Sequence, residues 1–306
     1  MPPPAPAFRT PTAPLLQRRR WAWWRWPVLL LPVVLAGCSL LMPQEITDME
    51  SRTAAEALKL QHDDPQAFLS YSVGARRMHY VQVGRGPDKP LVIFVHGSPG
   101  DWRGWADYLV DPELTQRAEL IAVDRPGFGG SGAGVVERSL VQQARDIAPL
   151  LDKAAPGRRV VLVGHSFGGP LVARLAMDQG SKVTDLVILA GSIDPAQEHT
   201  AWYQYVADWP VIAGLLPGPL VVANREIRAL QDELVAMLPL WTRVTQRVTL
   251  MQGGKDDLVP PENADFAEQV LTRTASLHIV RIPEMNHFLP WTRYGQVKAV
   301  ILEHLN

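Results

Sequence analysis

Six short apolar runs, Leu91–Val95, Leu120–Val123, Val160–Val163, Leu186–Leu189, Val248–Met251 and Leu277–Ile282, punctuate most of this chain. Each is shorter than an ordinary helix and rich in Val, Ile and Leu, the composition of a strand covered on both faces. Helical stretches separate most of them. The clearest begins after Ser139, a good N-cap, and sets Leu140, Ala144, Ile147 and Leu151 on one face. Strands alternating with helices predict an α/β fold, a doubly wound, mostly parallel sheet. Phe68–Val73 and Arg77–Val83, either side of Gly74, read as an antiparallel pair ahead of it. The interval 194–246 is far longer than one crossover needs and carries Trp202, Tyr203, Tyr205, Trp209, Leu215, Leu216 and Trp241. It is expected to be a helical, aromatic-rich lid insertion, too aromatic for disorder, interrupting a core of 67–193 and 247–306.

Directly after the third run stands Gly164-His165-Ser166-Phe167-Gly168. A G-x-S-x-G sequence between a buried strand and an apolar helix is a nucleophile elbow: a sharp turn that exposes the serine hydroxyl to a base and to backbone donors. The small residues allow the turn. Three further clusters follow other strands. They are His96-Gly97-Ser98-Pro99-Gly100, the turn Asp124-Arg125-Pro126-Gly127-Phe128-Gly129-Gly130-Ser131, and the pair of late loops Gly253 to Pro260 and Glu284 to Phe288. Loops that follow parallel strands share one edge of the sheet, which puts the two late loops at the same edge as Ser166.

In this order the clusters resemble the α/β-hydrolase family over about residues 67–306. The resemblance implies acyl transfer with Ser166 as nucleophile, His287 of the Asn286-His287-Phe288 sequence as general base, and Asp256 of the G-x-x-D-x-x-V-P pattern as the acid that fixes its tautomer. It makes His96-Gly97-Ser98-Pro99-Gly100 an oxyanion loop. Pro99 has no N–H, so the expected donors are the backbone N–H groups of Ser98 and Phe167. His96 and the Asp124 turn are read as structural, and His165 as packing or lining the site. Asp257 and, behind it, Asp194 are the other candidates for the acid. Serine at the elbow departs from the dehalogenases and epoxide hydrolases of this fold, which attack with a carboxylate.

The first 44 residues hold five arginines and no acid, with an apolar stretch Val28–Leu35 followed by Leu35-Ala36-Gly37-Cys38. This is the pattern of a signal peptide over 1–37, and the tetrapeptide resembles a bacterial lipobox, which implies acylation of Cys38, the only cysteine in the chain. An uncleaved anchor over 21–42 is the alternative. Residues 38–66 read as a tether with one short helix. Both readings put the globular part in the cell envelope, beyond the cytoplasmic membrane. Without the leader the chain has 25 basic and 31 acidic side chains, a formal charge of −6, which speaks against nucleic acid as a partner. The histidines outside the clusters lack metal-ligand spacing, and neither metal nor cofactor is expected.

The function expected is an exported, lipid-anchored serine hydrolase of carboxylic esters with an apolar part. Two rivals stand beside it. One is an aminopeptidase resembling the prolyl iminopeptidases, with Glu198, Asp208, Glu226 or Glu233 meeting the substrate amine; the other is a non-catalytic binding module.

Overall fold

The computed structural model describes residues 44–306. The expected leader, Cys38 and the alternative anchor lie outside them, and among the described residues no helix is long and apolar enough to cross a membrane.

Eight strands form one sheet: β1 (Phe68–Val73), β2 (Arg76–Val83), β3 (Leu91–Val95), β4 (Glu119–Val123), β5 (Val160–His165), β6 (Asp185–Leu189), β7 (Arg247–Gly253) and β8 (Ser276–Ile282). Their order is β1-β2-β4-β3-β5-β6-β7-β8. β2 pairs antiparallel with both β1 and β4, and the remaining six strands run parallel. The direction of winding reverses between β3 and β5, where Val95 lies beside Gly164. A crevice opens at the carboxyl ends of strands at such a switch point.

Side chains along each central strand alternate between two buried clusters. Leu91, Ile93 and Val95 enter one with the helices α4 (Leu140–Ile147) and α5 (Gly168–Asp178). Val92 and Phe94 enter the other, with Trp102, Trp105, Tyr108 of α2 (Ala106–Leu109), Leu114 of α3 (Pro112–Arg117) and Val297. Both faces are covered, which is why these strands read as continuous apolar runs. The strands nevertheless begin on polar residues the runs did not include, Glu119, Asp185, Arg247 and Ser276. Asp185 is buried there because Arg247, Arg159 and His304 all reach its carboxylate, at 2.5, 3.0 and 2.9 Å. α1 (Gln44–Asp63) occupies most of the expected tether. Its Ala57 and Leu60 are buried in the second cluster, and Arg52 pairs with Asp107 at 2.9 Å.

Between β6 and β7 lie α6 (Trp202–Ala207), α7 (Pro210–Ala213) and α8 (Gly218–Met237). The two ends of this stretch differ in burial. α8 turns Leu230, Leu234 and Met237 into the main core, and Trp241 just after it lies edge-on to Phe266 at 5.9 Å. The earlier aromatics face outward: Trp202 is 77 % exposed, whereas Trp241 is 2 % exposed. The expectation that this stretch acts as one aromatic lid therefore needs dividing, because Trp241 is core and Trp202, Tyr203, Tyr205 and Trp209 are surface.

Candidate active site

The elbow is built by close approach of backbones. A Cβ at Gly164 would lie 2.3 Å from the carbonyl oxygen of Gly168, and one at Gly168 would lie 2.3 Å from that of Val95. Only glycine tolerates either contact. Ser166 itself takes a left-handed conformation, φ 55°, which a non-glycine residue holds at a cost of about 1–3 kcal/mol and which recurs where geometry serves function. The turn is fixed by Ser166 N–H donating to Leu189 O at 3.0 Å and Gly169 N–H donating to Ser166 O at 2.9 Å. From Val160 to Ala173, Ser166 is the one residue that is not buried.

β7 and β8 deliver the late loops side by side. Gly254 N–H donates to Ile282 O at 2.9 Å and Lys255 N–H to Met285 O at 2.8 Å, so the two loops are laced together before either reaches Asp256 or His287. His287 Nδ1–H then donates to Asp256 Oδ2 at 2.8 Å, with both side chains buried. The other oxygen of Asp256 accepts from Leu258 N–H at 3.0 Å and Val259 N–H at 2.8 Å, and Gln252 Nε2 reaches Oδ2 at 3.3 Å. The carboxylate is thus held on both oxygens, and its bond to Nδ1 leaves Nε2 as the free ring nitrogen of His287. Asp257 is exposed. Asp194 is turned back on its own loop, accepting from Ala196 N–H at 2.9 Å. Asp256 alone of the three candidates meets His287.

His165 supports this arrangement from below. Its Nε2 donates to the carbonyl of His287 at 3.0 Å, and its ring lies 4.7 Å from that of His287 and 5.1 Å from Trp291. Burial, with the neighbouring His287 adding to it, holds the His165 pKa well below the usual histidine range. It packs and props, as read from its position on the turn.

Beside Ser166 runs the loop after β3, which carries Ser98; a Cβ at Gly97 would lie 2.9 Å from Ser166 Cβ. Neither Ser98 N–H nor Phe167 N–H donates to another group among the described residues. His96 is buried, with Nδ1–H donating to Gly97 O at 2.7 Å and Nε2 accepting from Arg125 N–H at 3.0 Å. Burial first, and Arg125 second, lower its pKa to about 3. Asp124 fixes the following turn by accepting from His79 Nδ1 at 2.7 Å and from the N–H groups of Trp102 at 2.8 Å and Gly130 at 2.7 Å. Both residues are themselves buried and fully engaged in hydrogen bonds to neighbouring elements.

The four carboxylates considered for a substrate amine, Glu198, Asp208, Glu226 and Glu233, are occupied. Asp208 pairs with Arg225 at 2.6 Å and Arg228 at 2.7 Å. Glu233 accepts from Leu140 N–H, at the start of α4, at 2.7 Å. Glu226 is fully buried against Arg125 at 2.7 Å. Glu198 accepts from the hydroxyl of Ser192, a residue whose own N–H donates to Ser166 O at 3.3 Å, and burial raises its pKa. Sequence reasoning valued the Asp124–Ser131 turn for its glycines and passed over Arg125, which proves to be the most heavily bonded side chain beside the elbow.

A family described as alpha/beta hydrolase fold matches residues 90–211. Among curated proteins, the dihydrolipoyllysine-residue acetyltransferase component of the acetoin cleaving system of Cupriavidus necator is 30 % identical over 53 % of this chain and 43 % of its own. Epoxide hydrolase 3 of Xenopus tropicalis is 33 % identical over 44 % of this chain and 35 % of its own. The chain thus spans less than half the length of these relatives. Among solved structures, a membrane phospholipase A described as a bacterial virulence factor superposes with a TM-score of 0.59 at 19 % identity, covering 92 % of this chain and 98 % of that one. Sheet order, the turn at Ser166 and these likenesses agree, and the chain has the α/β-hydrolase fold.

Proposed function

We propose that this protein is a serine hydrolase of carboxylic esters with an apolar acyl or alcohol part. The observation that carries the reading is the buried Asp256–His287 pair, presented at the same sheet edge as a serine held at positive φ. In this reading Ser166 Oγ attacks the ester carbonyl carbon while His287 Nε2 takes its proton. The carbonyl oxygen gains the negative charge and is met by Ser98 N–H and Phe167 N–H. Collapse breaks the bond to the alcohol, which leaves with the proton from His287, and water then enters by the same base to release the acid and restore Ser166. Asp256 stabilises the imidazolium in each half. The epoxide hydrolases among the relatives bear on substrate class through one contrast. A carboxylate nucleophile forms an alkyl ester on its own enzyme, whereas the Ser166 hydroxyl suits an acyl intermediate.

We further propose export and acylation at Cys38, which rest on the leader pattern alone. Labelling of the purified protein by a fluorophosphonate, followed by aryl esters of increasing acyl length and proline arylamides, tests the enzymatic reading. Ester turnover without arylamide turnover supports it. Arylamide turnover alone favours the aminopeptidase, for which Glu198, beside Ser192, is the remaining amine partner near the elbow. Absence of labelling returns the binding module.

A further inference from the structure

One guanidinium stands behind both proposed oxyanion donors. Arg125 has five N–H bonds and each finds an acceptor. Nε donates to His96 O at 3.0 Å; one terminal nitrogen donates to Gln143 Oε1 at 2.9 Å and Glu226 Oε2 at 2.8 Å; the other donates to Gly97 O at 2.9 Å and Glu226 Oε1 at 2.7 Å. Arg125 and Glu226 are both wholly buried. The Arg125 guanidinium carbon also sits 4.4 Å from the ring centre of Phe167 and 4.8 Å from that of Phe128.

Two of these contacts act on the site through covalent geometry. Gly97 C=O and Ser98 N–H belong to one peptide unit, which is trans, the cis bond of this loop being the next one, Ser98–Pro99. In a trans peptide the two groups point to opposite sides of the plane, so fixing the carbonyl fixes the amide. Arg125 and His96 Nδ1–H together grip the Gly97 carbonyl and thereby aim the Ser98 N–H. A cation bonded to that carbonyl also polarises the peptide and strengthens its N–H as a donor. The second contact seats the side chain of Phe167, the residue that supplies the other donor.

The counterion comes from elsewhere in the chain. Glu226 lies on α8, and besides Arg125 it accepts from the Ser98 hydroxyl and from Gln143 Nε2 at 3.2 Å. A buried ion pair is weak evidence for stability, because desolvation offsets its attraction and apolar replacements often fold as well. A role in specifying geometry is a better account of its presence here.

We infer that Arg125 and Glu226 are positioning residues that set the oxyanion hole, with Glu226 tying α8 to the orientation of the Ser98 N–H. The inference rests on the serine-hydrolase reading and adds two residues to it. It makes an assembled oxyanion hole conditional on α8 being docked, so movement of that helix would switch transition-state binding while leaving the Ser166, His287 and Asp256 loops intact.

The test is the double variant Arg125→Met with Glu226→Leu, which removes both charges together and avoids stranding either one. Its circular dichroism and unfolding midpoint report folding, and fluorophosphonate titration counts competent sites. The expected result on an aryl ester is a fall in kcat per titrated site of about 10–100-fold, less than the 10²–10³-fold cost of deleting an oxyanion donor outright, with KM within about threefold. The Ki of a trifluoromethyl ketone, whose tetrahedral adduct uses the same donors, should rise in parallel with the loss of kcat. A merely structural pair would lower the number of titrated sites and leave kcat per site, KM and Ki unchanged, and that outcome overturns the proposal. If the double variant does not fold, Ser98→Ala takes its place: the backbone N–H stays and only the tie to Glu226 goes. There a kcat loss of roughly 3–10-fold is expected, and unchanged kcat overturns the proposal. Wild-type protein that neither labels nor turns over esters removes the catalytic reading itself and the inference with it. Normal wild-type turnover matched by the variants removes the inference alone.

Discussion

Replacing Asp256 by asparagine tests the histidine pairing with almost no change of shape. One carboxylate oxygen of Asp256 accepts two backbone N–H bonds, from Leu258 and Val259, while the other accepts from His287 Nδ1. In asparagine the carbonyl oxygen takes the position facing the two N–H groups, because an amide nitrogen cannot accept there. That leaves the amide nitrogen, a donor, facing His287 Nδ1. The ring then presents Nδ1 as acceptor and carries its proton on Nε2, which in the proposed reaction points a donor where the Ser166 proton has to be taken. Loss of the base in this way lowers turnover by about 10⁴ in the protease case from which the rule comes, equivalent to about 5.4 kcal/mol at 1.36 kcal/mol per decade. Exposed Asp257 makes no such bond, so Asp257→Asn is expected within about threefold of wild type. The assay is kcat/KM on an aryl ester for both variants, with unfolding curves to show that each is native. Asp256→Asn within tenfold of wild type, or Asp257→Asn as the crippled variant, refutes the pairing argument.

Four further outcomes follow from the same geometry. Gly164→Ala puts a methyl 2.3 Å from the Gly168 carbonyl oxygen and is expected to destabilise by about 1–3 kcal/mol and to slow fluorophosphonate labelling, read by urea unfolding and gel fluorescence. Trp241→Ala opens the core and should cost about 3–5 kcal/mol, whereas Trp202→Ser on the exposed side should stay within about 0.5 kcal/mol; equal losses would contradict the burial difference. His96, with its pKa lowered to about 3, stays neutral when folded and takes a proton near pH 6.5 when unfolded. Its contribution is complete above pH 6.5 and falls by about 2 kcal/mol by pH 5, His165 acting in the same direction, so a flat urea stability between pH 7 and 5 would count against both. Cys38→Ala should leave ester turnover unchanged and release the protein from membranes after a high-salt wash; retention favours the uncleaved anchor over 21–42.

The sheet was legible because each central strand is apolar on both faces, and a run such as Leu91–Val95 permits few other fates. Strand starts were less legible, since Glu119, Asp185 and Arg247 are polar in sequence and buried only through partners distant along the chain, as when Arg247 and His304 neutralise Asp185. The turn at Ser166 and the pairing of Asp256 with His287 were legible as well, since these residues stand in short local patterns immediately after strands. Exposure of Trp202, Tyr203 and Tyr205 was not, because aromatic content signals that a segment can pack without saying against what.

The Arg125–Glu226 pair shows what a closer reading of periodicity supplies. Charges in an insertion are most often solvated, and by its immediate sequence Glu226 does not differ from Glu198, Asp208 or Glu233. Yet α8 buries Val222, Ala223, Glu226, Leu230, Leu234 and Met237, spacings of one, three, four, four and three residues that trace a single helical stripe. An acid inside an apolar stripe has to meet a cation or a set of donors, or stay protonated. Arg125 offers the complementary signal, a cation at the mouth of the all-buried strand Glu119–Val123, where no water can satisfy five N–H groups. Neither residue could be assigned from its own neighbourhood. What joins them is the contact of α8, through Glu226, with the loops after β3 and β4 at Ser98 and Arg125, and that contact is a property of the fold.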